Sequence, residues 1–151
     1  MPFTHSARFD LPLRVYYEDT DAAGVVYYAN YLRFLERART EWLRVLGYEQ
    51  QRLAQTMDLA FVVRSLACEY LKPARLDQML NIVSEIESIG RAQIVFAQRV
   101  ESQAEAGPET LLTARVRVAC IAAARMKPKA LPNEMYDTFT TLIANGARKR
   151  A

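Results

Sequence analysis

The segment DTDAAGVVYYANY, residues 19–31, places two carboxylates, a glycine and three tyrosines between a strand-like and a helix-like stretch. Asp19 and Asp21 admit three chemistries: local turn formation, metal ligation, or a reacting carboxylate beside a helix end. A plain turn is available, because aspartate bonds nearby backbone N–H groups and glycine accepts positive φ. A Ca²⁺ loop needs further oxygen ligands at alternate positions, and Val25, Val26 and Tyr27 stand there instead. Zinc lacks donors, since the sole histidine is His5 in the N-terminal tail. A reacting carboxylate needs a partner that stabilises developing negative charge. The free N–H groups and positive end of a helix supply one. Asp21 lies just upstream of such a helix, where it could attack an acyl carbonyl or activate water.

The elements that must position this stretch follow from hydrophobic period. Phe9 to Tyr17 reads as a first strand, with Pro12 weakening its start. Tyr31, Leu35, Ala38, Trp42, Val45 and Leu46, with Phe34 beside them, recur at helical spacing. Arg33, Arg37, Glu41 and Arg44 occupy the other side, and Arg37 can pair with Glu41. Asn30 is a natural N-cap and Gly47 a natural terminator. A short helical piece, EQQRLAQTM, follows.

From Leu59 the period changes to two. FVVRSLACEYLK, LNIVSEIESI, AQIVFAQRV and TLLTARVRVACIAA read as four strands, with a tight connection at Ile89-Gly90-Arg91 and a polar loop ESQAEAGPE. The connections are too short for crossover helices, so the sheet is antiparallel. Residues 133–144 form a short terminal helix, and the ends, 1–8 and 145–151, are expected as mobile tails. A helix over 31–46 is about 24 Å long, close to the width of five strands at about 4.8 Å spacing. The reading is α+β: one long helix across a curled five-stranded antiparallel sheet, in one domain, 1–151. Its edges and outer face call for a partner, so oligomerisation is expected.

Composition excludes other classes. At 51% hydrophobic and 25% charged, the 151 residues are those of an ordinary globular domain. No apolar run reaches a membrane span, and no secretory leader is visible, so a cytoplasmic protein is expected. Cys68 and Cys120 suit reduced, buried thiols. A net charge of +3 does not argue for nucleic acid. Sixteen of the 20 basic residues are arginine, which suits phosphate or carboxylate recognition and also a GC-rich genome.

RVYYEDTDAAGVVYYANYLRFLERARTEWL closely resembles the signature of hotdog-fold acyl-CoA thioesterases of the 4-hydroxybenzoyl-CoA thioesterase-like superfamily, in its Tol-Pal-associated (YbgC-type) branch. The likeness continues through FVVRSLACEYLKPARLDQML and MKPKALP. It implies a long helix wrapped by an antiparallel sheet, assembly into homodimers or homotetramers, and hydrolysis of acyl-CoA to CoA and a carboxylic acid without metal or cofactor. It places the catalytic carboxylate on Asp21 and the oxyanion N–H on the backbone of Tyr28, with Tyr17 beside the site and Gly24 keeping the turn open. At Tyr28 the Tol-Pal-associated branch commonly has histidine and the hydroxybenzoyl branch tyrosine. The exchange preserves a backbone N–H and removes an imidazole proton shuttle.

Further substrate contacts are expected from Arg125, Lys127 and Lys129 in ARMKPKALP and from Arg91, as holders of CoA phosphates, and from Arg64, as an interface or pantetheine contact; the default for each is a solvated surface. Glu36 and Arg39 suit structural pairing with the sheet. A hydratase on the same fold would want a histidine beside an acid, and His5 does not provide it. The rival from another class is a non-hydrolytic scaffold that binds acyl-CoA or acyl carrier protein.

Overall fold

The computed structural model describes residues 6–150. Its strands are β1 (Arg8–Arg14), β2 (Leu59–Tyr70), β3 (Met79–Ile89), β4 (Gln93–Ala104), β5 (Gly107–Ala122) and the two-residue β6 (Lys127–Pro128). Its helices are α1 (Asn30–Val45), α2 (Gln50–Met57) and α3 (Asn133–Arg150). The curled antiparallel sheet runs β1-β3-β4-β5-β2, with β6 folding back onto β5. Pro12 is tolerated because β1 is an edge strand, where a missing N–H costs little.

Alternation decides which face is buried. Ile82 pairs with Val100, Ser84 with Gln98 and Ile86 with Phe96; Phe96 then pairs with Val116 and Val100 with Leu112. These side chains form the inner face, and α1 lies on it with Tyr31, Phe34, Leu35, Ala38 and Trp42 buried. Trp42 stacks on Phe9 at 6.1 Å and meets Phe96 edge-on at 6.2 Å. The outer face carries Arg115–Glu87 and Arg99–Glu101 ion pairs and can stand in water. Gly47, at φ +97°, ends the α1 turn, and Tyr48 N–H closes on Leu43 O at 2.7 Å. Both cysteines are free thiols; burial pushes Cys120 up to about 11, against the opposing influence of Lys129.

Four sequence expectations need correction. The five expected strands gain a sixth, β6. The polar stretch 101–109 is not a loop: β4 and β5 continue through it to a hairpin at Glu105-Ala106, with Gly107 at φ +112°. The terminal helix expected over 133–144 continues to Arg150, and Arg8 already belongs to β1; residues 1–5, including His5, and 151 lie outside the described residues. Glu41 pairs with Arg44 rather than Arg37.

One polar cluster sits inside the core. Gln98, only 3% exposed, projects from β4 beneath α1. Its Nε2 donates to Leu35 O at 3.0 Å and to Ser84 Oγ at 2.9 Å, and its Oε1 accepts from Arg39 Nη1 at 3.0 Å. Arg39 is 8% exposed; burial lowers it to about 10, partly offset by Glu36. Removing one member of such a cluster leaves a buried charge without its acceptor. Gln98→Leu is therefore expected to cost about 3 kcal/mol in denaturant unfolding. A loss below about 1 kcal/mol would show that the amide is dispensable.

Candidate active site

After β1 the chain makes a 3-10 turn at Tyr17–Asp19 and then a small hairpin. Thr20 bridges Val26, Asp21 N–H donates to Val25 O at 2.9 Å, and Tyr27 N–H donates to Asp19 O at 3.0 Å. Gly24 N–H closes the turn on Asp21 O at 3.0 Å, and Gly24 takes φ +76°. No atom lies within 4 Å of where a Gly24 Cβ would stand, so glycine is required for its backbone angle and not for space. Asp21 is exposed; its Oδ1 accepts the Ala23 N–H at 2.9 Å, and Oδ2 meets no donor among the described residues.

Asp19 and Asp21 differ in their surroundings. Asp19 Oδ2 accepts the Tyr16 N–H at 2.8 Å and Oδ1 accepts Asn30 Nδ2 at 2.8 Å. Asn30 is consequently not the N-cap expected from its type. It is the first residue of α1, with Ala29 ahead of it, because its amide is turned to the Asp19 carboxylate. Asp19 thus ties the hairpin to the helix and leaves Asp21 unencumbered.

Tyr28 stands two residues before α1, 64% exposed. Tyr27 O accepts the Asn30 N–H at 2.8 Å. In a trans peptide C=O and N–H point in opposite directions. The Tyr28 N–H therefore points away from the helix, and among the described residues it meets no acceptor. The turn carrying Asp21 and the helix end carrying this donor are braced together by residues 70–78. Val26 N–H donates to Ala74 O at 2.8 Å, Leu76 N–H to Gly24 O at 3.2 Å, and Ala74 N–H to Tyr31 Oη at 2.9 Å. Tyr70 Oη donates to Tyr28 O at 2.8 Å. Sequence reasoning did not select this brace; the available signal was PARLDQ, a loop too rich in specific residues to be a simple connection.

Asp21, Gly24, Tyr28 and the exposed Tyr17 come together at one end of the sheet. The remaining candidates do not. Arg64 is the extra residue of a β-bulge midway along β2, between Val63 and Ser65, and is exposed. Arg91 lies in the β3–β4 turn; Arg125 and Lys127 follow β5, and Lys129 N–H donates to Cys120 O. These form a basic cluster at the opposite end, separated by the length of β3, roughly 33 Å. Lys129 Nζ is already engaged by Met57 O and Asp58 O. Between α1 and the free edge of β2 runs a cavity of about 490 Å³, lined by Leu32, Leu35, Leu43, Phe61, Val62 and Phe96 among others, with Arg39 in its wall.

A long helix lying in the curl of an antiparallel sheet defines the hotdog fold. A model of the family described as the Thioesterase superfamily matches residues 23–108. The chain is 49% identical over 132 residues to the acyl-CoA thioester hydrolase YbgC of Escherichia coli, covering 87% of this chain and 95% of that one. It is 47% identical over 131 residues to the acyl-CoA thioesterase YbgC of Haemophilus influenzae, covering 87% and 93%. The crystal structure of a probable thioesterase from Bartonella henselae superimposes with a TM-score of 0.76 at 38% identity, over 83% of this chain and all of that one. The chain belongs to the thioesterase superfamily, and it is a thioester hydrolase.

The unequal surroundings of the two aspartates are testable by stability alone. Asp19→Ala strands the Tyr16 N–H and the buried Asn30 amide, and is expected to cost about 1–3 kcal/mol in urea unfolding. Asp21→Asn keeps an oxygen for the Ala23 N–H and is expected to change stability by less than about 0.5 kcal/mol. The reverse ranking would contradict these assignments.

Proposed function

We propose that the protein hydrolyses acyl-CoA thioesters to free CoA and a carboxylic acid, with Asp21 as general base or nucleophile and the Tyr28 N–H as oxyanion donor. What supports this reading is that one Asp21 carboxylate oxygen and the outward Tyr28 N–H, carried by one turn that leads into a 16-residue helix, both meet no partner among the described residues. As general base, Asp21 takes a proton from water, the resulting C–O bond gives a tetrahedral oxyanion facing the Tyr28 N–H, and C–S cleavage releases CoA thiolate. As nucleophile, Asp21 forms an anhydride that water then cleaves. Both routes use protein groups alone, so no metal or cofactor enters.

The position of the basic cluster shapes the quaternary part of the proposal. Within one chain, Arg91, Arg125 and Lys127 are too remote to hold the phosphates of CoA bound at Asp21. The β2 edge offers unpaired backbone together with exposed Val63, Leu66 and Tyr70. A second copy pairing antiparallel on this edge brings its Leu59 end beside the first copy's Tyr70 end. Its basic cluster then faces the first copy's Asp21, its Arg64 lies near the two-fold axis, and the cavity along α1 is roofed for the acyl chain. A homodimer is the smallest competent unit, and a homotetramer is a dimer of such dimers. The free thiols fit a cytoplasmic setting, and no helix among the described residues is long and apolar enough to cross a membrane. Acyl carrier protein could present the same pantetheine thioester.

A panel of acyl-CoA thioesters with thiol release as readout tests the reading. Asp21→Asn is expected to lower kcat about 10²–10⁴-fold on the best substrate while the protein stays folded. Wild-type turnover by this variant would remove Asp21 from the mechanism. Binding of acyl-CoA without CoA release by the unaltered protein would favour a scaffold role.

A further inference from the structure

We infer that Tyr70 is a positioning residue for thioester hydrolysis, its hydroxyl holding the Tyr28 backbone so that the oxyanion donor stays aimed at the substrate carbonyl. The inference rests on the Asp21–Tyr28 reading above. The Tyr28 ring is exposed and packs on its neighbour Tyr27 at 4.8 Å, a contact that ties it to no distant element. It precedes α1, so helical hydrogen bonding does not hold it either. On its N-terminal side the peptide is fixed through Tyr27, whose N–H donates to Asp19 O and whose C=O accepts from Asn30. On its C-terminal side the Tyr28 carbonyl has one partner among the described residues, the Tyr70 hydroxyl at 2.8 Å. Without it, rotation at Tyr28 is restrained from one side only.

Tyr70 is built for that task. It is the last residue of β2, anchored by its pairing with Leu112 of β5. Its ring meets Tyr31 edge-on, 5.6 Å between centroids and 75° between planes. Tyr31 is in turn buried, and its hydroxyl accepts the Ala74 N–H, so the ring that supports Tyr70 is itself held at both ends. Burial first, and then the neighbouring Cys68, Tyr31 and Tyr28, push the Tyr70 phenol up from its ordinary value, which favours the protonated, hydrogen-donating form. The requirement on the donor is strict, because misplacement by about 1 Å can cost on the order of 10²-fold in rate. An interaction that touches neither substrate nor Asp21 therefore reaches the rate through geometry.

Tyr70→Phe keeps the ring on Tyr31 and removes only the hydroxyl. It is expected to lower kcat about tenfold, with KM within about twofold and an unchanged thermal midpoint. The backbone amides of Tyr28 and Ala29 are expected to shift in ¹H–¹⁵N spectra of the unliganded protein. An unchanged kcat, or a change confined to KM, would overturn the inference, as would unmoved amides. Asp21→Asn in the same assay separates the failures. If it is inactive and Tyr70→Phe is fully active, the positioning role alone falls. If Asp21→Asn is fully active, the underlying mechanism falls, and the amide shifts still report whether Tyr70 holds Tyr28.

Discussion

A helix that buries an apolar stripe in a curled sheet is free, as far as hydrophobic burial goes, to slide along the curl, because that force has no direction. Gln98 removes this freedom. Its amide reaches from β4 to the Leu35 carbonyl in the body of α1 and accepts Arg39 one turn further on. The helix is thereby fixed in height as well as in facing. The position of its N-terminus, and with it the Tyr28 donor, follows from a contact made about two turns away.

The second constraint operates at the helix end. α1 begins without a side-chain cap, which leaves its first N–H groups to other acceptors. The usual capping residue is present in Asn30, yet Asp19 takes its amide for a different purpose, the docking of the hairpin. The first turn is closed by backbone instead: Tyr27 O accepts the Asn30 N–H at 2.8 Å and Ala29 O accepts the Leu32 N–H at 3.2 Å.

Much of this was legible in the sequence, for stated reasons. The change of period from 3.6 to 2 located α1 and β2 to β5. Gly47 and Gly90 marked their turns. The choice of Asp21 over Asp19 as the catalytic carboxylate rests on the family resemblance and not on spacing. What escaped depends on contacts between residues far apart in the chain. The Tyr70–Tyr28 bond spans 42 residues and leaves no local pattern. Gln98 and Ser84 read as interruptions of an apolar face, although polar residues opposite each other at core positions are themselves a signal. The extension of β4 and β5 through 101–109 escaped because strands that run past the core lose their apolar alternation. The separation of the basic cluster from Asp21 was available by counting: in an antiparallel meander, the β3–β4 turn and the β2–β3 connection lie at opposite ends.

The place of β2 in the sheet has a consequence for how the chain is made. β2 is the second strand to leave the ribosome, but its neighbour is β5, completed at residue 122. Until then a twelve-residue strand carrying Phe61, Val62, Val63 and Leu66 has no partner within its own chain. The brace at 70–78 hangs from the end of this strand, so the Asp21 turn gains its full support only after most of the polypeptide has been synthesised. Pairing of such sequence-distant strands is slow and leaves them exposed to aggregation in the interval. Arg64, an exposed cation bulging from the middle of this strand, interrupts its apolar run, the kind of feature that blunts a free sheet edge.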